Sequence, residues 1–310
     1  MKKNIIIIVF ALIMLLAGCN KSENIVSDIE NGESLKENDS QEIPIEVDEE
    51  SLEKDELIEL NVEEVLWLQE SLKIAGYYTI MDGVYGSGTE GKLIEFQNSV
   101  DGLEANGEYN QGTKSELQKI RDEKSAPNSG GDLVLINKEY YLPSTFIPDD
   151  LREVNVRKSK SIQLVSHVAE KTEEMFADAE KDGLIMYLAS GYRSFSYQEG
   201  IFNRRVANKG LESTLKIVAM PGQSEHQTGL AIDITSEAMG YGLEQSFDQQ
   251  PEFEWMINNC YKYGFILRYR KGKEDITKYV YEPWHYRYIG DIELAKYIMD
   301  NELVLEEYFK

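Results

Sequence analysis

An α+β domain preceded by a small three-helix module is the architecture that this sequence predicts, and three observations carry it. Apolar residues recur at helical spacing from residue 61 to about 121, interrupted by Gly-rich turns. Beyond residue 133, short β-like runs mix with helical stretches without the regular strand-helix alternation of a parallel α/β fold. Between them, Ser-Ala-Pro-Asn-Ser-Gly-Gly at 125–131 has the composition of a linker. The expected divisions are 1–18, 19–60, 61–121, 122–132 and 133–310, and a chain of 310 residues with 42% hydrophobic content accommodates two cores.

The first 18 residues are not expected to join any core. Lys2 and Lys3 precede an apolar run from Ile5 to Leu16, too short to span a bilayer and of the length of an export signal. The run ends in Leu16-Ala17-Gly18-Cys19, which resembles a bacterial lipoprotein box. That resemblance implies lipidation of Cys19 and anchoring on the outer face of the cytoplasmic membrane, facing the cell wall. An ordinary secretory signal is the alternative. Cys260 is the only other cysteine, so no disulfide framework is expected; its helical context makes it a small buried residue.

A formal charge of -24 argues against nucleic acid as a partner. Much of that charge lies between Lys21 and Glu64, where acids far outnumber the three lysines and aromatics are absent. Such a segment cannot bury enough apolar surface to fold, and reads as a solvated tether.

In the module, Val62, Val65, Leu66, Leu68, Leu72 and Ile74 form the first helical stripe, ending near Gly76. A weak repeat follows: Asp82-Gly83-Val84-Tyr85-Gly86-Ser87-Gly88-Thr89 aligns with Asn106-Gly107-Glu108-Tyr109-Asn110-Gln111-Gly112-Thr113. Each copy reads as a turn feeding a helix, with Thr89 and Thr113 as N-caps and Glu116 completing a capping box. Together with Leu68-Gln69 and Phe96-Gln97, this pattern resembles the peptidoglycan-binding three-helix module. Cell-wall binding is what the resemblance implies, with Tyr85 or Tyr109 as candidate glycan contacts.

In the larger domain, Leu133 to Asn137 and Leu184 to Leu188 read as strands, Val156 to Asp182 as mostly helix, and Gln198 to Asn208 as helix. From Leu230 to Thr235, large apolar residues alternate with small or polar ones. This places Leu230, Ile232 and Ile234 on a core face and Asp233 on the other. His226 lies just upstream, and Gly229 permits a turn that brings its ring back over Asp233. Lys278 to Tyr281 reads as a further strand, and Pro283 biases Glu282 away from helix, so a bend there can present Glu282 and His285 to one cavity.

Two of only three histidines are thus grouped with two acids. Two imidazoles and a carboxylate are the usual protein ligands of a catalytic zinc, and a further carboxylate serves as its base. The third histidine, His167, sits in a helix with no acid or histidine at ligand spacing, and is expected to be structural.

Three blocks in order resemble the D-alanyl-D-alanine carboxypeptidases of the VanY type, zinc peptidases with a hedgehog-like DD-peptidase fold, over about 133–308. They are Ser190-Gly191-Tyr192-Arg193-Ser194 with Gln198, Ser224-Glu225-His226 through Asp233, and Glu282-Pro283-Trp284-His285-Tyr286-Arg287-Tyr288. The resemblance implies an antiparallel sheet flanked by helices and one Zn2+ held by His226, Asp233 and His285, with Glu282 as catalytic base. It also implies that Arg193 binds and polarises the substrate, with Gln198 and Ser224 near the substrate's terminal carboxylate. Lys278, where relatives carry a small turn residue, departs from the pattern outside these blocks. The expected activity is removal of the terminal D-alanine from peptidoglycan stem peptides. The alternatives are an L,D-carboxypeptidase or endopeptidase on the same peptides, and a non-catalytic zinc-containing wall-binding protein, which has no need of Glu282.

Overall fold

The computed structural model describes residues 56–309. The signal over 1–18, Cys19 and most of the acidic tether lie outside them. Among the described residues no helix is long and apolar enough to cross a membrane.

Three helices open the described chain: α1 (Val62–Ile74), α2 (Ser87–Asn98) and α3 (Gln111–Glu123). Their apolar stripes meet in a small core of Leu68, Leu72, Leu93, Phe96, Tyr109 and Leu117. Each fully buried side chain of this size contributes roughly 1.5–3 kcal/mol, enough to hold helices that would be marginal alone. The repeat seen in the sequence is a repeat of hydrogen bonds. Gln69 Nε2 donates to Asp82 Oδ1 at 2.8 Å and Thr89 Oγ1 at 3.1 Å, while its Oε1 accepts from the Gly83 amide at 3.0 Å. Gln97 repeats this, donating to Thr113 Oγ1 at 3.2 Å and accepting from the Gly107 amide at 3.0 Å.

That arrangement corrects the capping assignment. Gly86 and Asn110 are the N-caps, and Asn110 Oδ1 accepts from the Thr113 amide at 2.9 Å. Thr89 and Thr113 sit inside the first helical turn, conserving their hydroxyls for the two glutamines rather than for the helix end. Tyr109 is buried in the module's core and not on its surface. The Tyr85 hydroxyl donates to the Gly107 carbonyl.

The segment after α3 is bound rather than free. Ser125 bridges Tyr141, the Ala126 amide donates to the Tyr141 carbonyl at 3.0 Å, and the Lys124 ammonium reaches the Ile74 carbonyl at 3.0 Å. Side chains of the module also meet the rest of the chain directly. Glu70, paired with Arg121 within the module at 3.1 Å, also accepts from the Ser144 amide at 2.7 Å, Lys73 pairs with Glu199 at 2.8 Å, and Tyr78 donates to Asn203 at 2.7 Å.

The larger part is α+β. The short antiparallel pair β1 (Leu151–Glu153) and β2 (Gln163–Val165) precedes α4 (Ser166–Lys181), β3 (Tyr187–Ser190), α5 (Phe195–Lys209) and α6 (Leu211–Leu215). Then come β4 (Ala231–Thr235), α7 (Pro251–Asn259), β5 (Phe265–Tyr269), α8 (Glu274–Thr277), β6 (Glu282–Tyr288), α9 (Ile292–Asp300) and α10 (Leu305–Tyr308). Strands β3-β4-β6-β5 form one sheet, antiparallel throughout. Ile232 and Ile234 of β4 enter a core with Leu188, Phe265 and Tyr286 and with Val168 and Met175 of α4. Cys260 is buried in that core, as expected.

Several local expectations are revised. Residues 133–137 are not a strand; Val134, Leu135 and Ile136 are buried in an irregular segment, so the apolar run records burial and not pairing. Helix α4 begins only at Ser166, because Gln163–Val165 pairs with Leu151–Glu153. Lys278 caps α8 in a left-handed conformation with φ +63, so residues 278–281 turn and the strand starts at Glu282. A left-handed lysine is unusual and fits a position where a small turn residue would be more natural.

Candidate metal centre

Sheet register gathers the site. Asp233 of β4 is directly opposite His285 of β6, so both side chains leave the same face. Ser190 at the end of β3 is the next partner along, opposite Asp233. Glu282 lies an odd number of residues before His285, which on a regular strand would send it to the other face. The β5-β6 ladder is irregular there: Leu267 pairs with Tyr286, but Tyr269 pairs with Glu282. The extra length around Pro283, which has no amide to give to the ladder, returns Glu282 to the cleft that His285 lines.

His226 comes from the 3-10 turn Glu225–Thr228, closed by Gly229 at φ +69. Its Nδ1 lies 2.7 Å from the Gly191 carbonyl, and the Arg193 amide donates back to the His226 carbonyl at 3.0 Å. The turn and the Ser190–Ser194 loop therefore fix each other. Gly191 is required by space: a Cβ there would lie 2.6 Å from Ile162 Cγ2 and 2.7 Å from the Gln163 carbonyl.

His226, Asp233 and His285 are buried, and one ligand atom from each lies within 4.8 Å of the others. A carbonyl accepts only, so His226 carries its proton on Nδ1 and turns the Nε2 lone pair toward Asp233 Oδ2, 3.2 Å away. His285 Nε2 faces Glu225 Oε2 at 3.1 Å, leaving Nδ1 against Asp233 Oδ1 at 2.9 Å. Burial, with the Arg193 charge adding to it, pushes the His226 pKa down to about 4, so that ring is neutral. Burial alone would lower His285 as well, but the hydrogen bonds to Asp233 and Glu225 more than reverse this and bring it up to about 9. Without a metal His285 thus holds a proton on each nitrogen; a cation that takes up the Asp233 charge would displace the one on Nδ1, and three ligand atoms then converge in a buried place that attracts positive charge. Two imidazoles and a carboxylate so arranged fit a divalent metal of the zinc class.

Arg193 is held at every nitrogen: Nε donates to Ser190 Oγ at 3.0 Å, Nη1 to Gln198 Oε1 at 3.1 Å and Nη2 to Asp233 Oδ2 at 2.9 Å. Gln198 spends its other amide end on the Ala219 carbonyl at 2.8 Å. Arg193, Gln198, Ser224, Glu282 and Trp284 line the same cleft of about 160 Å³ with the three metal-site residues. Burial pushes the Glu282 pKa up to about 7; His285 pulls it back and Asp233 adds to the rise. His167 lies apart, 2.9 Å from Asp132 and edge-on to Tyr288.

The residue that sequence reasoning passed over is Glu225. It is fully buried, and burial alone would raise its pKa, but the facing Arg268 and Arg287 guanidiniums hold it well below the usual carboxylate range. Tyr269 and Tyr279, also overlooked, complete the cleft wall. The available signal was Arg268 in the otherwise apolar Phe265–Tyr269 run and Arg287 between Tyr286 and Tyr288, since a buried arginine demands a buried acid.

Comparison with known proteins agrees with this geometry. Residues 161–291 match the family described as "D-alanyl-D-alanine carboxypeptidase", VanY, and residues 61–117 match the "Putative peptidoglycan binding domain". The chain is 43% identical to "Putative carboxypeptidase YodJ" of Bacillus subtilis, over 63% of this chain and 73% of that one. It is 32% identical to a D-alanyl-D-alanine carboxypeptidase of Enterococcus faecium, over 69% of each. Among solved structures, the LdcB LD-carboxypeptidase superposes with a TM-score of 0.56 at 45% identity, covering 59% of this chain and 87% of that one. The protein belongs to the VanY carboxypeptidase family, joined to an N-terminal peptidoglycan-binding region.

Proposed function

We propose that this protein is a zinc-dependent peptidoglycan carboxypeptidase that removes the terminal D-alanine from stem peptides at the cell surface. The observation that carries the proposal is the convergence of His226, Asp233 and His285 with Glu282 and Arg193 in one cleft. His226, Asp233 and His285 would hold one zinc ion, which when bound supplies Lewis acidity and a water of pKa about 7.

Glu282 is the proton carrier. A carboxyl held near pH 7 by burial accepts a proton from the attacking water and returns it to the leaving amine, assistance worth roughly 10² to 10⁴ in rate. Arg193, fixed by Ser190 and Gln198, presents a rigid positive charge to a substrate carboxylate or to the oxygen that becomes negative during attack. Gln198 acts by aiming Arg193, and Ser224 offers a hydroxyl in the same cleft. The non-catalytic alternative leaves Glu282 without a purpose.

A second reading, L,D-carboxypeptidase activity, is favoured by the likeness to LdcB at 45% identity. Both activities release D-alanine, so product length separates them. Purified protein is incubated with defined pentapeptide and tetrapeptide stems, with and without a chelator. Conversion of pentapeptide to tetrapeptide marks the D,D-activity, and conversion of tetrapeptide to tripeptide the L,D-activity. Either should stop on chelation; absence of D-alanine from both substrates would sink the proposal. Export through the first 18 residues, anchoring at Cys19 and wall attachment through residues 61–121 complete the reading, and place the cleft beside its polymer.

A further inference from the structure

Beneath the site lies a closed network of buried charge. Glu225 Oε1 accepts from Arg268 Nε at 2.7 Å and from Arg287 Nη1 at 2.9 Å. Glu225 Oε2 faces His285 Nε2 at 3.1 Å. Arg268 is bound on its other side by Glu306, at 2.8 and 2.7 Å, and Arg287 by the Asp132 and Val134 carbonyls at 2.8 and 2.7 Å. Arg268, Arg287 and Glu225 are each 1% exposed or less, so no water-borne relaxation is available to them.

We infer that Glu225 is a positioning residue whose carboxylate, oriented by Arg268 and Arg287, fixes His285 as the tautomer that offers Nδ1 to the metal. The two arginines have only protons to give, so they claim Oε1 as an acceptor and determine which oxygen remains for the ring. That remaining oxygen is also an acceptor, and obliges His285 Nε2 to carry the ring proton. Nδ1 is then the nitrogen that gives up its proton when a metal binds with Asp233, in the same cavity as the His226 Nε2 lone pair. His226 gets its orientation from a backbone carbonyl, whereas His285 depends on a charged side chain reached through two strands. Partners of this kind behind a metal-binding imidazole commonly alter metal affinity by about 10- to 100-fold.

The inference rests on the metal reading of the site and is sharpest for Glu225→Gln, which keeps volume and shape. In that variant the arginines hold the amide oxygen, so the amide NH2 faces His285. A donor facing Nε2 favours the opposite tautomer, with the proton on Nδ1 where the metal should bind. Zinc affinity of the purified full chain is measured by competition with a chromophoric chelator. The dissociation constant should weaken about 10- to 100-fold in Glu225→Gln. Glu306→Gln, which removes the other acidic partner of Arg268 without touching His285, should stay within about twofold of wild type even if both variants melt earlier.

Should Glu225→Gln fail to fold, nitrogen-15 spectra of the histidine rings in zinc-loaded wild type decide the matter, with only three histidines to assign. A proton on His285 Nε2 supports the inference, and one on Nδ1 overturns it. Wild-type zinc affinity unchanged in Glu225→Gln overturns it too, as does an equal loss in Glu306→Gln. Wild type that binds no zinc would instead overturn the metal reading itself.

Discussion

Glu282→Gln should destroy activity and stabilise the fold, and the second effect should depend on pH. Glu282 has an ordinary pKa of 4.5, which burial raises to about 7 in the folded protein. The gap corresponds to about 3 kcal/mol at most, since each pKa step is worth about 1.4 kcal/mol. The folded protein holds this proton more tightly than the unfolded chain does. The group's contribution is therefore fully present below about 4.5 and is lost as the pH rises through about 7. A glutamine has no charge to desolvate, so chelator-treated wild type and Glu282→Gln should unfold at similar urea concentrations near pH 4.5. Above pH 7 the variant should gain up to about 3 kcal/mol, a melting shift of roughly 6–12 °C for a unit of this size. D-alanine release should fall by roughly 10² to 10⁴ in the same variant. A stability difference that does not change between pH 4.5 and 8 would refute the raised pKa, and unimpaired release would remove Glu282 from proton transfer.

Two other expectations follow from packing. Gly191→Ala forces a Cβ to within 2.6 Å of Ile162 Cγ2, so it should cost about 1–3 kcal/mol in urea unfolding. It should also weaken zinc binding, because the Gly191 carbonyl that orients His226 must shift. Glu70→Ala strips the buried Arg121 of its acid and the Ser144 amide of its acceptor, and should lower unfolding stability by about 3 kcal/mol while hydrolysis of a short soluble stem peptide stays unchanged.

Much of the site could be read from the chain because its residues sit in local patterns. Period-two alternation around Ile232 and Ile234 assigned Asp233 to the face away from the core, and that alternation is a property of any strand. Gly229 before β4 foretold a turn under His226, since few residues adopt a φ near +69. Local rules failed where tertiary contacts outbid them. Thr89 and Thr113 are good caps by type, yet two glutamines one helix earlier claim their hydroxyls. The run Leu133–Asn137 is as apolar as a strand, but burial alone requires that composition. The expected linker likewise packs against Tyr141 despite its serines and glycines.

The sequence by itself determined which groups could do the chemistry: two histidines, two acids and an arginine in three blocks, with a wall-binding pattern ahead of them. Only the tertiary structure decided how they are aimed. Register between β4 and β6 sets Asp233 opposite His285, and the irregular β5-β6 ladder returns Glu282 to their side. Which nitrogen of each imidazole faces the centre depends on partners 35 and 60 residues away, the Gly191 carbonyl and the Glu225 carboxylate. Hydrogen-bond direction is a property of pairs in space, so no spacing along the chain could have supplied it.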